Sequence, residues 1–215
     1  MLGPNGAGKS TTVSMLTGLL APTSGEAIVC GVNVARDPVA VKRKIGVLPE
    51  DLGLFDDLTV EEHLQLTGDL YGIDPATTHE RIERLLTLLG LAAGRRTFAR
   101  SCSHGMRKKT SFAMALLPNP EALFLDEPFE AVDPVTSSVM AGVLRSAASR
   151  GVTVFLTSHI LPMASRIADQ IVIIRAGRIV LNSVASELTR PLEELYFEHA
   201  EAPVSDDLEW LGTAR

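Results

Sequence analysis

The chain has 215 residues, a formal net charge of −6 and two cysteines. This length suffices for one well-buried α/β domain with a small inserted subdomain, whereas two complete domains would be crowded. The negative charge gives no overall attraction to nucleic acid or anionic lipid, and no apolar run approaches a membrane span. We therefore predict a cytoplasmic protein that neither binds nucleic acid nor inserts into a membrane. Cys30 and Cys102 form no C-x-x-C pair, which argues against a metal or redox site.

The first segment, GPNGAGKST, fits the phosphate-binding pattern G-x-x-x-x-G-K-[ST]. Backbone N–H groups of such a loop, and the positive end of the helix after it, suit a triphosphate. Lys9 can reach the β and γ phosphate oxygens, and the Ser10 hydroxyl can ligate Mg²⁺. The segment therefore predicts a nucleotide triphosphate site at the start of the chain.

The next elements alternate between helical and strand patterns. Apolar residues from Val13 to Leu20 have helical spacing and predict a helix that ends before Pro22. Short apolar runs then recur, bounded by Gly, Pro or charged residues as buried strands are: EAIVCG, KIGVLPE, EALFLDE, VTVFLTSH and QIVIIRAGRIV. Because helical stretches separate several of them, we predict a mostly parallel sheet covered by helices, with a final hairpin turning at Ala176-Gly177.

Between about residue 55 and residue 118 the strand pattern gives way to helices. The segment from Thr59 to Glu62 is a capping box at the start of one helix, and THERIERLLTLLG predicts a second helix that stops at Gly90. We predict a helical subdomain inserted into a domain of residues 1–190. Residues 191–215 predict a docked helix followed by a loose tail.

Two carboxylates and an imidazole follow predicted strands. The run EALFL leads to Asp126 and Glu127, and VTVFLT leads to Ser158-His159. Open parallel sheets bind ligands at the carboxyl ends of their strands, so these side chains are expected at one edge. Asp126 would hold Mg²⁺, and Glu127 would accept a proton from the attacking water. Taken alone, the acids could also be a solvated edge and the histidine an ordinary surface residue.

The stretch SCSHGMRKKTSFAMALL predicts a helix with Ser103 at its N-cap. Arg107, Lys108 and Lys109 crowd its first turns, where the helix dipole disfavours cations, so a bound anion would relieve the local field. The alternative is a basic face in contact with solvent.

Five segments of the chain resemble, in order and separation, the motifs of the ATP-binding subunits of ABC transporters. GPNGAGKST resembles the Walker A loop, SHGM the signature, LFLDEP Walker B, AVDP the D-loop and TSH the switch histidine. The resemblance runs from residue 2 to about residue 185 and implies an α/β P-loop NTPase fold. The segment IGVLPEDLGLFDDLTVEEHL and the signature variant are most similar to subunits that serve a separate permease of the drug or polysaccharide exporter type.

The resemblance implies that the chain binds ATP and Mg²⁺ and hydrolyses ATP. The implied catalytic residues are Lys9, Glu127 and His159, and the implied Mg²⁺ residues are Ser10, Glu50 and Asp126. The residues implied to contact nucleotide are Gly3, Pro4, Asn5, Gly6, Ala7, Gly8, Lys9, Ser10, Thr11, Glu50, Ser103, Gly105 and Asp133.

The resemblance also implies two kinds of protein partner. In the family two such domains pair head to tail, so the loop around Lys9 of one subunit and Ser103 to Gly105 of the other would clamp one ATP. The second subunit would be an identical copy or a paralogue, with Asp133 at the dimer seam. Closing and reopening the clamp would move a transmembrane permease, which would hold the chain at the cytoplasmic face of the plasma membrane. Substrate specificity would lie in that permease.

Three features depart from the family pattern. Glu50 replaces the usual glutamine and adds negative charge beside the triphosphate. His104 replaces a glycine, which narrows the backbone's freedom, although its ring could donate a hydrogen bond. The family's antiparallel layer, adenine-stacking aromatic residue and loop-bearing strand have no counterpart before Gly3, so we expect that Met1 is not the natural start or that the chain is a truncated product. Without that strand, the fold is expected to be marginally stable.

Two further functions remain open at this stage. Glu50, His104 and the absent adenine platform would also fit a non-hydrolysing, regulatory ATP-binding relative. An ABC ATPase acting on DNA or ribosomes fits less well, because the first kind carries a long coiled coil between loop and signature and the second carries two tandem ATPase domains.

Overall fold

The computed structural model describes residues 1–199. The strands are β1 Ile28–Val29, β2 Val32–Asn33, β3 Ile45–Leu48, β4 Ala122–Leu125, β5 Thr153–Leu156, β6 Gln170–Arg175 and β7 Arg178–Val184. The α-helices are α1 Lys9–Leu16, α2 Pro38–Lys44, α3 Val60–Leu70, α4 Pro75–Leu88, α5 His104–Leu116, α6 Pro134–Ser149, α7 Leu161–Ile167 and α8 Leu192–His199. Short 3₁₀ turns cover Ala92–Gly94, Ala99–Ser101 and Ala185–Glu187.

The central sheet is parallel, with strand order β3-β4-β5. Leu48, Leu125 and Leu156 lie side by side in its register. The residues that follow β4 and β5 therefore leave the sheet at the same edge, which is where α/β sheets of this kind bind ligands. The predicted mostly parallel sheet with helical cover is confirmed for these strands.

The phosphate-binding segment starts from the sheet itself. Leu2 forms parallel bridges to Ser158, just after β5, and to Ile173 in β6. The Leu2 N–H donates to the Val172 carbonyl at 2.7 Å, and the Ile174 N–H donates to the Leu2 carbonyl at 2.8 Å. Leu2 is buried and links the parallel strands to the β6–β7 hairpin, whose turn contains Ala176 and Gly177 as predicted.

The helices between β3 and β4 share one apolar core with the sheet. Phe112 of α5, Leu64 of α3 and Leu86 of α4 are fully buried together with Leu123 and Leu125 of β4. Because these side chains of the helices and of β4 are packed together away from solvent, they fix α5 relative to the carboxyl end of β4. The position of α5 is therefore a consequence of core packing.

The helix starts follow the predicted capping chemistry. The Thr59 hydroxyl accepts from the Glu62 N–H at 3.2 Å, and the Glu62 carboxylate accepts from the Thr59 N–H at 2.7 Å, so the capping box is confirmed. Gly90 follows α4 with φ +64°, the left-handed conformation typical of a helix stop. The Ser103 hydroxyl caps α5 by accepting from the Met106 N–H at 3.2 Å.

The predicted extent of the first helix is wrong. Helix α1 ends at Leu16, and Leu19 and Leu20 are exposed. Gly18 has φ +71°, and the Thr17 hydroxyl donates to the Val13 carbonyl at 2.9 Å. A left-handed glycine terminates a helix at a lower cost than any other residue, and this local signal prevails over the apolar spacing.

Helix α8 packs against α7 and β6, where Leu192 joins their apolar cluster, and Leu195 is also buried. The predicted loose tail lies outside the described residues. Within residues 1–199, no helix combines the length and the apolar character needed to cross a lipid bilayer.

Candidate functional site

The glycine-rich loop connects Leu2 to α1 through conformations that favour glycine. Gly6 has φ +77° and Gly8, at the N-cap of α1, has φ +104°. No side chain caps α1, so its first-turn N–H groups have neither an intrahelical nor a side-chain partner. Together with the helix dipole, these N–H groups suit an anion.

Gly3 is required for a different reason, which is space. A Cβ atom at this position would lie 2.5 Å from the Ile174 carbonyl oxygen and 2.9 Å from Ile174 Cγ2. The loop therefore runs directly against the backbone of β6 at this point.

A Gly3→Ala substitution is expected to lower the free energy of unfolding by about 1–3 kcal/mol, because the loop or β6 must shift to admit the methyl group. Chemical denaturation monitored by circular dichroism measures this change. Gly142→Ala is the control, because a Cβ at this site inside α6 meets no atom within 4 Å. The control should be neutral or stabilising by up to about 1 kcal/mol. Equal stability of the two variants would contradict the close approach.

Lys9 lies under the loop and is only 7% exposed. Its ammonium group donates to the Gly3 carbonyl at 2.8 Å and more weakly to the Pro4 carbonyl at 3.4 Å. The same nitrogen lies 3.4 Å from Glu127 Oε1. The Lys9 ammonium group therefore contacts both the phosphate-binding loop and Glu127, which follows β4.

The two acids that follow β4 have different surroundings. Asp126 is buried, and the Thr157 hydroxyl donates to its Oδ1. Glu127 has φ +45°, an uncommon value for a residue other than glycine, and its N–H donates to the Thr157 hydroxyl oxygen at 3.0 Å. Thr157 therefore holds both acids in place. Sequence reasoning missed it, although it stands directly after the apolar run of β5.

His159 completes the group of side chains. Its Nδ1 lies 3.0 Å from Glu127 Oε2, and its backbone N–H donates to the same oxygen at 3.2 Å. The His159 side chain is 44% exposed, so its ring is accessible to solvent as well as adjacent to Glu127. The structure brings Lys9, Asp126, Glu127 and His159 together at the carboxyl edge of the sheet.

The remaining predicted residues lie on other elements. Ser103 is exposed at the start of α5 and Gly105 lies in the first turn, while Asp133 caps α6 by accepting from the Thr136 N–H at 2.9 Å. Hydrogen bonds from Thr136 hold the pKa of Asp133 below its usual value. Within residues 1–199, the hydrogen bonds of the Ser103 and Asp133 side chains do not reach the phosphate loop.

Glu50 is exposed in the turn after β3 and lies within electrostatic range of Lys108. Two of the three cations at the start of α5 have protein partners in place of the predicted anion. Arg107 donates to Asp56 at 3.0 Å and to the Ala99 carbonyl at 2.9 Å, and Lys108 donates to the Glu127 carbonyl at 2.7 Å. Protein groups therefore already satisfy these two cations.

The residues present fit MgATP. The glycine loop and the first turn of α1 offer donors for phosphate oxygens, and Lys9 adds a positive charge beneath them. Among the described residues, no group of three or more His, Cys, Asp and Glu side chains could by itself hold a metal ion. Mg²⁺ takes many of its ligands from phosphates and water, so one or two protein groups such as Ser10 and Asp126 would be enough to hold it.

Comparisons with known proteins agree with this geometry. A family model described as ABC transporter matches residues 1–130. The Nod factor export ATP-binding protein I of Cupriavidus metallidurans is 34% identical over 97% of this chain and 70% of its own length. The daunorubicin/doxorubicin resistance ATP-binding protein of Streptomyces peucetius is 37% identical over 89% of this chain and 58% of its own length, so the chain spans little more than half of that relative.

A solved structure of an ATP-binding subunit of an ABC transporter superposes with a TM-score of 0.85. It is 32% identical and covers 92% of this chain and 85% of the solved chain. The predicted P-loop NTPase fold of the ABC ATPase type is therefore confirmed. The chain belongs to the ABC transporter family.

Proposed function

We propose that the chain is the ATP-hydrolysing, energy-coupling subunit of an exporter-type ABC transporter and drives a separate membrane permease. One observation carries this proposal: Lys9, Asp126, Glu127 and His159 converge where the phosphate loop meets the carboxyl ends of β4 and β5. The export and drug-resistance names of the two relatives support the exporter assignment.

Each converging residue has a chemical role that its surroundings support. The loop from Gly3 to Thr11 binds the triphosphate, and Lys9 exchanges its bond to the Gly3 carbonyl for phosphate oxygens. Glu127 accepts the proton of the attacking water. His159, adjacent to Glu127 and partly exposed, donates toward the γ phosphate. Ser10 and Asp126 would hold Mg²⁺, which would supply positive charge to neutralise the phosphates.

The second half of the site is proposed to come from another ATPase subunit. Ser103 and Gly105 lie at an exposed helix start that suits an anion, yet the hydrogen bond of Ser103 remains local within the described residues. A head-to-tail dimer, of identical copies or of paralogues, places this helix start over the nucleotide of the partner subunit. Asp133 would lie at the dimer seam, and Glu50 would be a further residue able to hold Mg²⁺.

The permease anchors the chain at the cytoplasmic face of the membrane in this proposal. We assign residues 1–190 to the ATPase domain, with the helical subdomain at about 55–118, and we treat residues 191–215, which begin with α8, as a separate C-terminal segment. ATP-driven closure of the dimer moves the permease, and the permease selects the substrate.

Steady-state hydrolysis by the full-length protein, alone and with its co-purified permease, tests this function. We expect Mg²⁺-dependent release of phosphate from ATP, and faster release when the permease is present. Tight ATP binding without turnover in both preparations would contradict the energy-coupling role. That result would favour the regulatory alternative, for which Glu50 and His104 are the motivating residues.

A further inference from the structure

Glu127 requires anchors because its backbone conformation is unfavourable. Its φ of +45° lies in the left-handed region, which is unfavourable for a residue with a Cβ atom. Such a residue persists only where its surroundings determine its conformation. The direction of its carboxylate follows from this backbone, so whatever fixes the Glu127 peptide groups also fixes the position of the proposed general base.

The structure holds Glu127 from both sides. The Thr157 hydroxyl oxygen accepts its N–H at 3.0 Å, and the Lys108 ammonium donates to its carbonyl at 2.7 Å. The Glu130 N–H makes a longer bond to the same carbonyl, at 3.3 Å. The bond from Lys108 is the shorter of the two and comes from a different part of the fold, the helix α5 that Ser103 caps.

Lys108 is unusual because it is a nearly buried lysine, with 3% of its surface exposed. Burial lowers its pKa, and the neighbouring carboxylates of Glu130, Glu127, Asp126 and Glu50 oppose that shift. Removal of a lysine from water is costly unless specific partners compensate for it. Lys108 is therefore not an ordinary surface lysine that only keeps the protein soluble.

We propose that Lys108 is a positioning residue for ATP hydrolysis: from the signature helix α5, its ammonium group clamps the Glu127 carbonyl and so fixes the carboxylate of the general base. This inference rests on the proposed function of Glu127. Lys108 touches neither nucleotide nor water in this role. It makes the placement of α5, and hence of Ser103, a direct determinant of where Glu127 lies.

The first measurement is the steady-state kinetics of three variants of the full-length protein. Lys108→Met, which retains the length and loses the donor, should lower kcat roughly 10- to 100-fold, the effect of losing one charged hydrogen bond. The KM for MgATP should stay within about twofold of wild type, because the phosphate loop is untouched. Lys108→Arg, which keeps a cationic donor, should recover most of the lost kcat. Lys42→Met, at an exposed lysine near the end of α2, is the control and should behave as wild type.

The second measurement observes the contact without reference to turnover. The sequence contains one Glu-Pro pair, Glu127-Pro128. Protein labelled with ¹³C-carbonyl glutamate and ¹⁵N-proline therefore reports one doubly labelled peptide by NMR. The carbonyl resonance should move in Lys108→Met and stay near its wild-type position in Lys108→Arg. If the Met variant does not fold by circular dichroism, Lys108→Leu, which also lacks a donor, replaces it in both measurements.

Three results would overturn the proposal. They are a wild-type kcat in Lys108→Met, a Glu127 carbonyl resonance that does not move in Lys108→Met, and a kcat of Lys108→Arg no higher than that of Lys108→Met. Absence of turnover in the wild type is a different failure. It would contradict the proposed function itself, and the carbonyl resonance would still decide whether Lys108 holds Glu127.

Discussion

Glu127→Gln is expected to lower kcat for ATP hydrolysis by about 10³-fold while ATP still binds. Glutamine keeps the size of the side chain but cannot accept a proton, and a positioned general base contributes roughly 10²- to 10⁴-fold. The backbone anchors at Thr157 and Lys108 involve only the Glu127 peptide and remain in the variant. Phosphate release and binding of a fluorescent ATP analogue measure the two properties separately.

The control for this variant lies at the opposite end of the same strand. Glu121 precedes β4, and its carboxylate pairs with Lys44 at 3.1 Å on the surface. Glu121→Gln removes a carboxylate of the same type and should keep kcat within about twofold, because an exposed ion pair contributes little. If Glu127→Gln hydrolyses ATP at the wild-type rate, Glu127 is not the general base.

Lys9→Met is expected to weaken MgATP binding roughly 10- to 100-fold and to lower turnover as well. The substitution removes charge-assisted hydrogen bonds to the β and γ phosphates, and each such bond contributes about 1.5–3 kcal/mol. Methionine fills most of the buried space that Lys9 occupies, so the fold should persist. Titration with a fluorescent ATP analogue measures the affinity, and thermal unfolding verifies the fold.

The matched variant for Lys9→Met is again Lys42→Met, which removes an exposed lysine distant in sequence from the loop. It should bind MgATP with wild-type affinity. Equal affinities of the two variants would show that Lys9 does not contact the phosphates.

Local patterns were sufficient to predict most elements of the fold. The capping box at Thr59, the stop at Gly90, the cap at Ser103 and the hairpin at Ala176-Gly177 each depend on a few adjacent residues, and the structure has all four. The predicted end of α1 is wrong because the left-handed Gly18 stops the helix before the apolar spacing ends at Leu20.

The convergence of Glu127 and His159 was also predictable, since each follows a recognisable strand and parallel strands place their carboxyl ends at one edge. Lys9 was recognisable from the phosphate-binding pattern in which it stands. Thr157 and Lys108 were not predicted as supports. Their importance comes from contacts with Glu127 over sequence separations of 30 and 19 residues, which no local pattern encodes. Lys108 in particular reads as a surface cation in the sequence and is buried in the fold.

The central claim is that a triphosphate and Mg²⁺ lie between the glycine loop and the acids that follow β4. A crystal structure of the full-length Glu127→Gln protein with MgATP tests it most directly. We predict that the β and γ phosphates lie over the loop within hydrogen-bond distance of Lys9 Nζ, with Mg²⁺ on the side of Ser10 and Asp126. A nucleotide bound at another surface, with Lys9 still bonded to the Gly3 carbonyl, would contradict the account.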